Sequence, residues 1–178
     1  MEPNYSLARQ MARKVIKDYY LTEVPTNLRK IFQSLGMEYI ELDDPKDIDG
    51  AILEIDNKPS IAVLNRAKPI QRQRFTLAHE LAHIFLHHKK RDTYAPEAER
   101  ELAEREQNEA IQTGKPSSES EADAFASELL IPFDQIKKYE KDISNIEKMA
   151  EIFQVSKQAM TLAIMNYWRY SRSKRKSY

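Results

Sequence analysis

The most informative stretch of the chain is FTLAHELAHIFLHH, which runs from residue 75 to residue 88. It contains His79 and His83, four positions apart, with Glu80 directly after the first histidine. In an α-helix, side chains at this spacing project from one face, which is what two imidazoles need to share one zinc ion. Glu80 lies about 100° from His79 around such a helix, so its carboxylate can sit beside the metal without binding it. The pattern predicts a zinc site in which Glu80 accepts a proton from a water activated by the metal.

An alternative is a surface helix with two solvated histidines. Leu81 and Ala82, between the pair, argue against it, because they predict a helix at least half buried, where imidazoles need partners. All four histidines of the chain lie in this stretch, and cysteine is absent, so the ligands must be histidine and carboxylate. His87 and His88 are weaker candidates: His87 falls near the metal-facing side and could touch a substrate, but a hydrogen bond to a ligand or a merely polar role is favoured.

Candidates for a third ligand lie in SSESEADAFASELLIP, residues 117–132. Glu119 and Asp123 are four apart, hence on one face of a predicted helix that ends at Pro132. We assign Glu119 as the ligand and expect Asp123 to accept the free N–H of a ligating imidazole. Glu121 is the competing ligand, although its spacing from Ser118 is typical of a capping box, which would occupy its carboxylate. A further alternative is that all three acids are solvated, since acids are common at helix starts.

The elements that must position these residues follow from periodicity. Helices are predicted over residues 5–20, with Leu7 and Val15 in the apolar stripe, and over residues 26–35, with Thr26 as N-cap and Gly36 at the C-terminus. Residues 37–65 alternate with period two, which predicts three antiparallel strands, the last two forming a hairpin.

The strand at 60–65 immediately precedes the zinc helix, and we expect that it could pair with an extended peptide by strand addition. Pro69 suits the first turn of the zinc helix. Arg72 and Arg74 follow, and the sequence leaves open whether they pair with acids or face water.

Residues 89–116 form a charged bridge with few apolar positions, which predicts a solvated helix or loop and leaves a lid as an alternative. Residues 134–168 are predicted to be helical, with a turn near 154–156 and Ser156 as N-cap. Their helix–turn–helix cadence could enter DNA, but the second helix offers few base-reading side chains, so packing on the core is favoured. The basic end, RYSRSKRKSY, is predicted to be a disordered tail.

The composition of the chain limits its possible partners, its location and its fold class. The 178 residues carry a formal net charge of zero, so no bulk field attracts nucleic acid or an anionic membrane. No stretch approaches 18 apolar residues and the start of the chain is polar, so we expect a cytoplasmic protein without a membrane span. Only three glycines and 31% charged residues favour a mostly helical protein.

Taken together, RFTLAHELAHIFLHH and SESEADAFASELLIP resemble the ImmA/IrrE family of zinc metallopeptidases. Matched position by position, the family's ligands fall on His79, His83 and Glu119, and its general base falls on Glu80. Many members have Asn where this chain has Asp123, which keeps the hydrogen-bonding role and adds a charge. The resemblance covers roughly residues 10–165.

The resemblance implies a mostly helical, α+β minimal zincin-like fold with a small three-stranded antiparallel sheet and a C-terminal helical region. We expect a metallopeptidase core over 1–132, a helical subdomain over 133–168 packed on it, and the tail over 169–178. The implied function is a zinc endopeptidase, with one zinc per chain, that cleaves a helix–turn–helix repressor to derepress a mobile element, prophage or stress response. Two alternatives stay open: a zinc hydrolase acting on another substrate, and a non-catalytic module that binds a partner or DNA. The group that stabilises the oxyanion besides zinc is unassigned, with Tyr94 as one candidate.

Overall fold

The computed structural model describes residues 3–43, 49–56, 58–86 and 116–175. Within these ranges it has three strands and seven α-helices: α1 (Tyr5–Asp18), α2 (Leu28–Ser34), β1 (Glu38–Leu42), β2 (Gly50–Ile55), β3 (Lys58–Asn65), α3 (Ile70–Phe85), α4 (Ser117–Leu130), α5 (Phe133–Lys138), α6 (Ile146–Phe153) and α7 (Lys157–Arg175). This is the mostly helical α+β fold that the sequence predicts. No helix in the described ranges is long and apolar enough to cross a membrane.

The sheet differs from the prediction in one respect: it is mixed, with strand order β1-β3-β2. β2 and β3 form the predicted antiparallel hairpin, but β1 pairs in parallel with β3, placing Tyr39 opposite Ala62. β3 is therefore the central strand, and the expectation that residues 60–65 offer a free edge is wrong. Alternation along a strand predicts which side chains share a face, but it does not specify which neighbour the strand takes.

α3 and α4 pack against each other in the centre of the molecule, with α3 also contacting β2 and β3, and α4 also contacting α1. The α3–α4 pair is rich in small buried residues, and each of the following is fully buried: Ala78, Ala82, Ala122 and Ala126. Small side chains let two helix backbones approach closely, which brings polar groups on both helices within reach of each other. The stacked rings of Phe85 and Phe125, 6.0 Å apart, fill the space beside the contact.

The helix ends follow local chemistry, with two corrections near α1 and α2. Asn27, not Thr26, caps α2, because its side chain accepts the N–H of Lys30. Thr26 instead donates its buried hydroxyl to the carbonyl of Leu129 in α4, 3.0 Å away. Gly36, at φ +70°, takes the left-handed conformation expected just after α2. Leu7, predicted in the apolar stripe of α1, is exposed, and the buried positions there are Ala8, Ala12 and Val15.

The C-terminal helices follow the predicted turn. Gln154 is left-handed after α6, and Ser156 accepts the N–H of Ala159, so it caps α7 as predicted. α6 buries Met149 and Phe153. α7 continues to Arg175, so the tail predicted to be disordered from residue 169 is helical for seven of its ten positions.

The stability of the protein should depend more on its buried side chains than on its exposed ones. We expect Leu129→Ala, at a fully buried position of α4, to lower the free energy of unfolding by about 2–5 kcal/mol, because it leaves a cavity. The matched control is Leu7→Ala, at a position 49% exposed. This variant should change the free energy of unfolding by less than about 0.5 kcal/mol. Urea unfolding followed by circular dichroism measures both. Equal losses for the two variants would contradict this description of the core.

Candidate metal centre

Two ring nitrogens and a carboxylate converge where α3 meets α4. The Nε2 atoms of His79 and His83 lie 3.1 Å apart. Nε2 of His79 lies 3.2 Å from Oε2 of Glu119, and Nε2 of His83 lies 3.6 Å from Oε1 of the same carboxylate. Each residue offers one ligand atom to this group, and these atoms all lie within 4.8 Å of one another. The structure thus brings together the three residues that the sequence proposes as ligands, and they could hold a metal ion.

The cluster is buried on the side of α3 and more open on the side of α4. The side chains of His83 and His79 are 8% and 16% exposed, whereas that of Glu119 is 33% exposed. The two histidines come from consecutive turns of α3, and Glu119 comes from the first turn of α4. The two imidazoles are thus held by the surrounding core, and Glu119 is the most exposed of the three side chains.

Asp123 orients one of the imidazoles. Its Oδ1 lies 3.0 Å from Nδ1 of His79, the ring nitrogen on the far side from the cluster. A carboxylate at this place favours the tautomer with a proton on Nδ1, which leaves the Nε2 lone pair directed at the cluster. Burial by itself lowers the pKa of His79, but the hydrogen bond and charge of Asp123, with smaller effects of Glu119 and Glu80, raise it above its ordinary value of 6.5.

Glu80 is buried beside the cluster without belonging to it. It is 6% exposed, although it carries a carboxyl group. Its charge contributes to the raised pKa of His79, so the carboxylate lies within electrostatic reach of that imidazole. The role of Glu80 as proton acceptor stays a prediction.

Glu121 faces away from the cluster, but not for the predicted reason. α4 begins after Pro116 and has no side-chain cap, so the predicted capping box of Ser118 and Glu121 does not form. Oε1 of Glu121 instead accepts the backbone N–H of Asn4, 2.6 Å away, just before α1. The contact turns this carboxylate toward α1, on the side of α4 away from Glu119.

Two long-range contacts that the sequence did not indicate hold α4 in place. Nε of Arg13 in α1 lies 2.7 Å from Oε1 of Glu128, which is 4% exposed. The hydroxyl of Thr26 binds the carbonyl of Leu129 at the end of α4. Both join positions more than 100 residues apart in sequence, so no local pattern signals them. They fix the helix that supplies Glu119.

A cavity of about 800 Å³ lies on the Asp123 side of His79. Asp123 lines it, as does Phe75, whose ring centroid is 6.2 Å from that of His79. Its far wall is α7, which contributes Leu162 and Ala163. The cavity thus extends from Asp123 and Phe75, which both contact His79, to the C-terminal helices, and His79, His83 and Glu119 do not line it. Sequence analysis did not find it, because its walls come from helices far apart in the chain.

Several predictions about this region concern residues outside the described ranges. These are His87, His88, Tyr94 and the suggestion that the charged bridge acts as a lid. They stay predictions.

Comparison with known families agrees with the motifs. The family model of the IrrE N-terminal-like domain, Peptidase_M78, matches residues 33–165, which includes both helices of the cluster. No curated protein matches the chain.

Removing a ligand should remove the metal. We expect His79→Ala, His83→Ala and Glu119→Ala each to lower bound metal from about one ion per chain to near zero after dialysis, because two donors hold a divalent ion much more weakly than three. The matched control is Glu121→Ala on the same helix, which should retain the metal. Elemental analysis of the purified proteins measures the content. Loss of metal from the Glu121 variant but not from the Glu119 variant would reverse the assignment.

Asp123 should act through His79. We expect Asp123→Ala to weaken metal affinity about 10–100-fold, because the imidazole loses the acceptor that sets its tautomer. Asp123→Asn keeps an acceptor oxygen and should stay close to the parent protein. Competition with a chromophoric chelator gives the three affinities. If Asp123→Ala binds metal as tightly as Asp123→Asn, the orienting role is refuted.

Proposed function

Since the chain belongs to the IrrE N-terminal-like domain family of metallopeptidases, we propose that it is a zinc-dependent endopeptidase that cleaves a helix–turn–helix transcriptional repressor. The observation that carries the proposal is the convergence of His79, His83 and Glu119, with Glu80 buried beside them. Cleavage of the repressor would derepress a mobile element, a prophage or a stress response.

Zinc suits the donors of this cluster. Two imidazoles and one carboxylate are a set typical of catalytic zinc, which keeps its fourth position for water or substrate. Tetrahedral zinc with bonds of about 2.0–2.2 Å separates its ligand atoms by about 3.3–3.6 Å. The two imidazole nitrogens lie 3.1 Å apart, close to that range, and each of them lies 3.2 or 3.6 Å from a different oxygen of the Glu119 carboxylate. His79, His83 and Glu119 are therefore the residues that would hold the ion.

The protein's own groups would carry the proton transfers. When bound, zinc supplies Lewis acidity, which makes water more acidic and polarises the scissile carbonyl. Glu80 takes the proton of the attacking water as a new C–O bond forms, and returns it to the amine nitrogen as the C–N bond breaks. Asp123 accepts the Nδ1 proton of His79 throughout, which keeps the Nε2 lone pair directed at the cluster.

The apolar cavity beside the cluster supports a protein substrate. A volume of about 800 Å³ accommodates several side chains, and Phe75 places an aromatic wall next to His79. Leu162, 54% exposed on α7, extends the apolar lining away from the metal. Apolar side chains of a bound polypeptide, at some distance from the scissile bond, would lose contact with water here, which favours binding of a polypeptide over a small polar substrate.

An extended segment of substrate would use an outer strand. β3 is central, so among the described residues the strand edges left for addition belong to β1 and β2, the outer strands of the sheet. Recognition through such an edge and through the apolar cavity would restrict cleavage to few proteins. A helix–turn–helix repressor fits this requirement, and its choice rests on the ImmA/IrrE resemblance.

The role of Glu80 can be tested with this substrate. We expect Glu80→Gln to keep its zinc and its fold, while cleavage of the cognate repressor slows by about 10²–10⁴-fold. The variant loses the proton acceptor but keeps all three metal ligands. The parent protein should cut the repressor at one or a few sites and leave casein nearly intact. Mass spectrometry of the fragments measures the cleavage.

Two outcomes would contradict the proposal. Fragments that appear equally fast with Glu80→Gln would show that cleavage does not use this carboxylate. An intact repressor that nevertheless leaves its operator when both proteins are present would favour a non-catalytic binding module.

A further inference from the structure

A second cavity, of about 370 Å³, lies on another side of α3. It is enclosed by the segment before α2, by β1 and by the first turns of α3. Among the α3 residues that line the cavity, Arg74 is the charged one. At 3.6 residues per turn, Arg74 is about 140° from His79 and about 180° from His83 around the helix. The cavity is therefore separate from the metal cluster and from the apolar cavity beside it.

The guanidinium of Arg74 is a largely buried positive charge, and the described residues offer it few hydrogen-bond acceptors. It donates from Nη2 to the backbone carbonyl of Thr26, 2.8 Å away. Its Nε is buried and has no hydrogen-bond partner among the described residues. Burial lowers the pKa of Arg74 to about 10, so the group stays charged at neutral pH. By contrast, Arg72 on the same helix pairs at 2.6 Å with Asp49.

Two more donors line the same cavity. Arg29 of α2 lies over the ring of Tyr39 of β1, with its Cζ 4.6 Å from the ring centroid. Burial raises the pKa of Tyr39 and Glu41 adds to the rise, so the phenol keeps its proton at neutral pH. Arg29 also pairs with Glu41, 2.9 Å away, outside the lining of this cavity. One exposed carboxylate, that of Glu23, is part of the lining.

We propose that this cavity binds a phosphate-type oxyanion, either free phosphate or the phosphate group of a small metabolite, through Arg74, Arg29 and the phenol of Tyr39. The donors come from three different elements, which suits a tetrahedral anion with several acceptor oxygens better than a flat carboxylate. Leu28, Leu64 and Leu77 also line the space and limit its water. Low polarity around the donors strengthens charge-assisted hydrogen bonds.

A bound anion would be connected to both helices of the metal cluster. The carbonyl of Thr26 accepts from Arg74 on α3, and the hydroxyl of the same residue donates to Leu129 on α4. An anion that holds Arg74 and Arg29 together would therefore link α2 and β1 to the pair of helices that carry the ligands. Because the anion binds only the folded protein, it should also raise the melting temperature.

The test uses the zinc-loaded protein and the NMR signal of the Arg74 Nε–H group, assigned by its absence in Arg74→Lys. Titration with inorganic phosphate should shift this signal in a saturable manner, and sodium chloride at equal ionic strength should not. Adenosine monophosphate as a second ligand distinguishes a phosphate ester from free phosphate, and either one supports the proposal.

The variants separate a binding role from a structural one. Arg29→Gln, at an exposed position, should fold and weaken phosphate binding about tenfold, the loss of one charge-assisted contact. The control Arg72→Gln removes the same charge from α3 outside this cavity and should leave the affinity unchanged. A signal that does not saturate with either phosphate ligand, equal affinity in Arg29→Gln and the parent, or tighter binding of acetate than of phosphate would each overturn the proposal.

Discussion

The contact between α3 and α4 is the constraint on which the rest of the structure depends. Each helix carries only part of the candidate metal site, so His79 and His83 on α3 form an incomplete set without Glu119 of α4. Atoms on different helices must come within about 2.0–2.2 Å of one point, and a shift of one ångström would be too much for a metal ligand. Fully buried alanines on both helices make such a close approach possible.

The surroundings hold α4 from several sides. α1 supplies Arg13 to the buried Glu128 and the backbone N–H of Asn4 to Glu121. The segment before α2 supplies the hydroxyl of Thr26 to the last turn. A buried carboxylate such as Glu128 is costly without a partner, so its pairing with Arg13 favours one placement of α4 over others. Elements that carry no ligand thus determine where Glu119 lies.

Sequence reasoning succeeded where the determinants are local. The spacing of the two histidines and of Glu119 from Asp123 predicts shared helix faces, and in the structure Glu119 and Asp123 both contact His79, whose Nε2 lies beside that of His83. It failed where the partner lies far along the chain. Glu121 was expected to cap its own helix, but it accepts from Asn4, 117 residues away. The parallel pairing of β1 with β3 is a second example, because alternation within a strand is the same for either neighbour. The surroundings of Arg74 were left undecided for the same reason, since its hydrogen-bond partner Thr26 lies in the segment before α2, 48 residues away in the chain.

The most direct test of the central claim is the position and identity of the metal. Anomalous diffraction recorded on both sides of the zinc absorption edge, from crystals of the zinc-loaded protein, locates the ion independently of any activity. The structure predicts one peak per chain, about 2.0–2.2 Å from Nε2 of His79, from Nε2 of His83 and from a carboxylate oxygen of Glu119. A peak coordinated by Glu121 in place of Glu119, or no zinc peak between the two histidines, would contradict it.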